Sequence, residues 1–85
     1  MTVNMIYFAW VREAIGLDGE TVNPPATITT ITGLIDWLAA TSAPHAAAFA
    51  DRKRLRAAID QRFAPLDASI AGAREIAIFP PVTGG

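Results

Sequence analysis

Apolar residues crowd the start of the chain. From Val3 to Ala9 only Asn4 is strongly polar, and the run reads as a strand buried on both faces and central in its sheet. Trp10 to Gly16 holds enough helix formers for about two turns, with Gly16 placed as a left-handed stop. Leu17 to Asn23 gives a short second strand, which Pro24 and Pro25 end. Ile31, Leu34, Ile35 and Leu38 then recur at spacings of three and four, one stripe of a principal helix capped by Thr29 or Thr30. Trp37 lies off that stripe and is expected at the helix edge. Pro44 interrupts the pattern, and Ala46 to Ala50 predicts a short second helix. Leu55 to Asp60 reads as a third strand and Arg62 to Leu66 as a brief fourth, limited by Pro65. A turn at Gly72 leads into a last strand, Glu75 to Phe79.

Strand, strand, helix and further strands is the order of an α+β domain, a mixed sheet packed on one principal helix. The order matches the β-grasp arrangement, although the pattern alone does not separate it from other small α+β folds. Eighty-five residues allow one domain, assigned here to residues 1–79, with residues 80–85 as an extended arm. Of the 52% hydrophobic residues many are alanine, 17 of the 85, so large core side chains are fewer than that fraction suggests. No apolar run approaches the roughly 18 residues of a membrane span, and the N-terminus has no basic segment leading into an apolar one. A soluble cytoplasmic protein without membrane contact is expected.

Cysteine is absent and His45 is the only histidine. Thiolate nucleophiles, disulfides and thiolate or His-rich metal sites are therefore excluded, and a Ser-His-Asp set could be built only around His45. His45 follows Pro44 in an alanine-rich stretch and reads as a surface residue. Net charge is −1, unevenly spread: residues 1–50 hold one cation against four anions, and residues 51–85 six cations against four. Arg52, Lys53, Arg54, Arg56 and Arg62 make a local basic cluster. The near-neutral total argues against nucleic acid, and the cluster reads as a solvated strand end, with a docking patch for an acidic protein as the alternative.

After Phe79 come Pro80, Pro81, Val82, Thr83, Gly84 and Gly85. Two successive prolines remove two backbone donors and end sheet pairing, so an extended arm is expected. Its six residues reach roughly 20 Å when fully extended. The two glycines make a thin thread able to present a terminal carboxylate inside a narrow channel. A frayed tail with no role is the competing reading of a bare Gly-Gly ending.

Three motifs together carry a family resemblance: Tyr7-Phe8-Ala9 followed by Arg12-Glu13 and Gly16; Gly33-Leu34-Ile35-Asp36-Trp37-Leu38; and Phe79-Pro80-Pro81-Val82-Thr83-Gly84-Gly85. Over essentially its whole length the chain resembles the MoaD family, the small sulfur-carrier subunits of molybdopterin synthase. The resemblance implies a ubiquitin-like β-grasp fold and a terminal Gly85 that an E1-like enzyme adenylates with ATP and converts to a thiocarboxylate. It implies no bound cofactor. It also implies a large synthase subunit, in a heterotetramer of two small and two large subunits, whose side chains catalyse sulfur transfer to cyclic pyranopterin monophosphate. First and last strands lie side by side in such a fold, which would bring Phe8 and Phe79 together, with Phe63 joining them either in a docking patch or in the core. Arg12, from the shared motif, and Arg74 complete the candidate partner-binding residues. Two departures stand out: Asp60-Gln61 where the family often has Asn-Gln, and Gly72-Ala73-Arg74-Glu75 where it often has Asp-Gly-Asp-Glu. The alternatives are a carrier for another pathway, such as thiamine thiazole or a thiolated nucleoside, or a ubiquitin-like binding module or modifier.

Overall fold

The computed structural model describes residues 1–81. Val82, Thr83, Gly84 and Gly85 lie outside the described residues, and with them the expectations for the end of the arm. Five strands, β1 (Val3–Tyr7), β2 (Gly19–Val22), β3 (Arg56–Ile59), β4 (Arg62–Ala64) and β5 (Glu75–Phe79), form one sheet in the order β2-β1-β5-β3-β4. β1 and β5 run parallel at its centre, and the outer pairs are antiparallel. Helices α1 (Ala9–Ile15), α2 (Ile31–Thr41) and α3 (Ala43–Ala48) and a single 3-10 turn (Arg52–Arg54) complete the chain. This is the ubiquitin-like β-grasp fold.

Pleating decides which side chains meet the helices, because alternate residues point to opposite faces. Val3, Met5 and Tyr7 of β1 and Ile76 and Ile78 of β5 pack in one core with the α2 stripe Ile31, Leu34, Ile35 and Leu38, and with Val11, Ile15, Phe49 and Leu55. Each large aliphatic side chain buried this way contributes about 1.5–3 kcal/mol. Trp37 sits half-buried at the edge, as its offset predicts. β1 is central, but it is not buried on both faces: Asn4 is exposed and Ile6 only half-buried, because the second face of the sheet carries no helix. Helix α1 starts at Ala9, so the strand is two residues shorter than the apolar run that predicts it.

Local chemistry fixes the ends of the elements. Gly16 adopts φ +87° and its N–H closes α1 on the Arg12 carbonyl. Of the two threonines it is Thr30 that caps α2, accepting from Gly33 N–H at 3.1 Å. The next orphan donors of α2, Ile31 and Thr32 N–H, bond to the carbonyls of Ala68 and Leu66. α3 begins earlier than its alanine run suggests. Ser42 caps it, and Pro44 falls in the first turn, where a missing N–H costs nothing. Gly19 is required by close approach, since a Cβ there would lie 2.5 Å from the Met5 carbonyl oxygen.

A two-residue turn, Asp60-Gln61, joins β3 to β4, with φ +48° and +72°. Both values belong to the mirror-image hairpin turn, in which Asp and Asn are the best-tolerated residues after glycine. Asp60 Oδ1 also accepts from the N–H groups of Arg74 (3.1 Å) and Glu75 (2.9 Å), tying the turn to the start of β5. The Oδ1 of an asparagine could accept the same two bonds. The Asp60 departure therefore leaves the turn's geometry intact. No helix among the described residues is long and apolar enough to cross a membrane.

Candidate functional site

The face of the sheet opposite the helices carries the candidate site. Register puts Glu75, Ala77 and Phe79 of β5 on it, flanked by Arg56 and Ala58 of β3 and Phe63 of β4 on one side and by Asn4 and Ile6 of β1 on the other. Phe8, one residue beyond β1, lies edge-on to Phe79 with ring centroids 6.5 Å apart. Phe63 lies 5.8 Å from Phe79 on the other side. The three rings with Ala58 and Ala77 line a shallow apolar groove of about 370 Å³. Phe63 is 82% exposed and Phe8 48%, so Phe63 is not a core residue.

The groove adjoins the end of β5, because Phe79 is its last residue, and Pro80 and Pro81 follow, both half-buried. Ala9 has φ +53°, a conformation that residues bearing a Cβ rarely adopt. It turns the chain from β1 straight into α1, and Phe8 stays at the surface beside Phe79.

The remaining candidates are dispersed. Arg12 stands one turn into α1, its N–H bonded to the Phe8 carbonyl and its guanidinium 3.8 Å from Asp18. Arg74 precedes β5, at the end opposite Phe79, roughly 16 Å along a five-residue strand. Closeness to Phe79 in sequence is not closeness in space here. The basic cluster forms the 3-10 turn and the start of β3, with Arg62 apart on β4. Arg52 pairs with Asp36 at 2.6 Å, and the Arg54 guanidinium lies 5.0 Å over the Trp10 ring.

His45 is not the surface residue its neighbours suggest. It is 8% exposed, with both ring nitrogens engaged: Nε2 with Glu20 Oε2 at 2.5 Å, and Nδ1 with the Ser42 hydroxyl at 2.5 Å. Tyr7 Oη donates to the same Glu20 oxygen at 2.7 Å. Register explains the gathering, because Glu20 pairs with Met5 and so points to the helix side of β2. The signal available in the sequence was Glu20 itself, in phase with Val22, which packs against the core. Ser42, His45 and Glu20 match a hydrolytic triad in residue type but not in geometry. The serine meets Nδ1 while accepting the His45 backbone N–H as a helix cap, and the imidazole is enclosed. The set ties β1, β2 and α3 together. No group of three or more His, Cys, Asp or Glu among the described residues could hold a metal ion.

Burial, then the hydrogen bond to Glu20 and then its negative charge hold the Tyr7 phenol far above its ordinary range. A group with a raised folded pKa contributes stability that is complete below its unfolded value, about 10, and is lost as pH rises beyond it. Stability is therefore expected to fall above about pH 10, and Tyr7→Phe should flatten that fall. Tyr7 is the only tyrosine, so phenolate absorbance checks this directly: it should rise at higher pH in the folded chain than in denaturant.

The sequence profile of the ThiS family matches residues 5–85. The chain is 39% identical to the molybdopterin synthase sulfur carrier subunit of Escherichia coli over 98% of this chain and 99% of that one. The subunit of the same name from Haemophilus influenzae is 35% identical over the same shares. Among solved structures, SAMP1 from Haloferax volcanii superposes with a TM-score of 0.73 at 23% identity, each chain covered completely, a likeness of fold. The chain belongs to the MoaD/ThiS-like sulfur-carrier family, homologous to the small subunit of molybdopterin synthase.

Proposed function

We propose that the chain is the sulfur-carrier subunit of a molybdopterin synthase. The observation that carries this reading is the 39% identity extending over 98% of the chain and 99% of the Escherichia coli subunit. The Gly85 carboxylate attacks the α-phosphorus of ATP on an activating enzyme and releases pyrophosphate. A sulfur nucleophile then adds at the acyl carbon and AMP leaves, because a carboxylate is a poor acyl donor until it carries such a leaving group. The resulting thiocarboxylate sulfur attacks cyclic pyranopterin monophosphate in the large subunit, and water later returns Gly85 to its carboxylate. This chain supplies the reactive terminus and its presentation, and the large subunit supplies the catalytic side chains and a site dry enough to delay hydrolysis. Intact mass tests the first half. After incubation with ATP, the activating enzyme and a sulfur donor, the chain should gain one oxygen-to-sulfur exchange, and an unchanged mass would remove the proposal's basis.

The groove of Phe8, Phe63 and Phe79 is the surface proposed to seat on the large subunit, with the arm running from its edge into the active site. Exposed aromatic anchors of this kind carry a disproportionate share of binding energy. Phe63→Asp should weaken large-subunit binding by about 2 kcal/mol, roughly 30-fold. Because Phe63 is 82% exposed, the variant should melt as the parent does. Equal affinity in titration calorimetry, with folding intact, would reject the groove as the dock.

A further inference from the structure

A left-handed residue stands at each end of α1, and the chain fills the two positions differently. Gly16, at φ +87°, closes the helix with the residue that this conformation favours, whereas Ala9, at φ +53°, opens it with a residue that bears a side chain. Ala9 is where the chain crosses from one face of the sheet to the other. Tyr7 is buried on the helix side, Phe8 is exposed on the open face, and Val11 is back in the core. Only Phe8 separates β1 from α1, so no longer loop absorbs the reversal. Hydrogen bonds hold Phe8 loosely. Its N–H reaches the Ile78 carbonyl at 3.3 Å, and its carbonyl accepts from Val11 and Arg12 N–H at 3.2 and 3.3 Å, all at or beyond the long end of the usual range. Its ring is 48% exposed and meets Phe79 edge-on. The direction of that ring therefore depends on the backbone at Ala9.

We propose that Ala9 is a positioning residue, whose left-handed backbone fixes Phe8 in the groove of the free chain so that the surface meets the large subunit already formed. The proposal rests on the reading of the groove as the large-subunit dock. The methyl group does the fixing. A residue with a Cβ has only a small left-handed well, about φ +50° to +70°, and leaving it would turn α1 away from the core that Val11 and Ile15 enter. Glycine adopts the same conformation at lower cost, but it also occupies a much broader range of positive φ. Alanine at this position thus lowers stability and leaves Phe8 a single direction. Ala9 is exposed, so burial of its side chain does not account for the choice of alanine over glycine. An anchor that is ordered before contact loses less freedom on binding, and so binds more tightly.

The test compares the parent chain with Ala9→Gly and Ala9→Asn by thermal unfolding, by NMR order parameters of the free chain, and by titration against the large subunit. Ala9→Gly should melt about 2–8 °C higher, because the strain is relieved. Its Phe8 amide order parameter should nonetheless fall from about 0.85 towards about 0.6, and its affinity should weaken by about threefold to tenfold. Asparagine tolerates the left-handed well and keeps a Cβ. Ala9→Asn should therefore hold the parent's order at Phe8, and its affinity should stay within about twofold. A role in stability alone would not raise the melting temperature and weaken binding in the same variant. An Ala9→Gly chain that melts below the parent, keeps the parent's order at Phe8 or binds as the parent does would overturn the proposal, as would an equal loss in Ala9→Asn. Phe63→Asp in the same titration separates the two readings. If it binds as the parent does, the groove is not the dock and the role of Ala9 falls with it; if it weakens binding while Ala9→Gly does not, the role of Ala9 falls alone.

Discussion

Removing Gly85, or appending one residue after it, is expected to abolish sulfur donation and leave the melting temperature unchanged. Deletion draws the terminal carbonyl back by about 3.5 Å, one residue of extended chain. Misplacement by even 1 Å costs on the order of 100-fold where reacting atoms must be aligned, so a loss of more than 1,000-fold is expected in both charging and transfer. Stability should not follow, because the last fully buried core residue among the described residues is Ile78. Single-turnover charging followed by intact mass checks the loss of charging, and thermal unfolding checks that stability is unchanged. A shortened chain that still gains sulfur and passes it on would show that Gly85 is not the reacting residue.

Glu20→Ala should be among the most destabilising single changes outside the apolar core. It removes the common acceptor of Tyr7 Oη and His45 Nε2, leaving two enclosed polar groups without partners. Each such group costs about 1–3 kcal/mol, so a loss of about 2–6 kcal/mol is expected. That is a large part of the roughly 5–10 kcal/mol of a domain this size. The melting temperature should fall by roughly 10 °C or more. Adding Tyr7→Phe removes one orphan and should recover about 1 kcal/mol, whereas the same change in the parent chain should only destabilise. Denaturant unfolding of the four chains forms the cycle, and strictly additive losses would contradict a shared network.

Local signals carried most of the fold. The stripe Ile31, Leu34, Ile35, Leu38 is fully buried, and Glu75–Phe79 is a strand over the predicted bounds, because periodicity and the flanking Gly and Pro act within a few residues. His45 shows where such signals stop. Its environment is made by Glu20, 25 residues earlier in the chain, which register alone turns towards it. The same limit applied to Phe63, which an apolar-residue count cannot separate from the core. Only its pairing with Ala58 on β3 puts it on the open face. Arg74 is near Phe79 in sequence but not in space, since a five-residue strand carries the chain from one end of the sheet to the other. The end of β5 at Phe79 was legible from composition because two prolines forbid pairing whatever surrounds them.

The central claim is that sulfur leaves this chain for the pyranopterin, and a single-turnover transfer tests it most directly. The chain, charged with labelled sulfur, is mixed with the large subunit and cyclic pyranopterin monophosphate, and label is followed by mass into protein and product. The account predicts that two carriers return to the carboxylate form for each dithiolene formed. Charged carrier that keeps its sulfur in the presence of both, while giving it up to a thiazole or nucleoside acceptor, would contradict it.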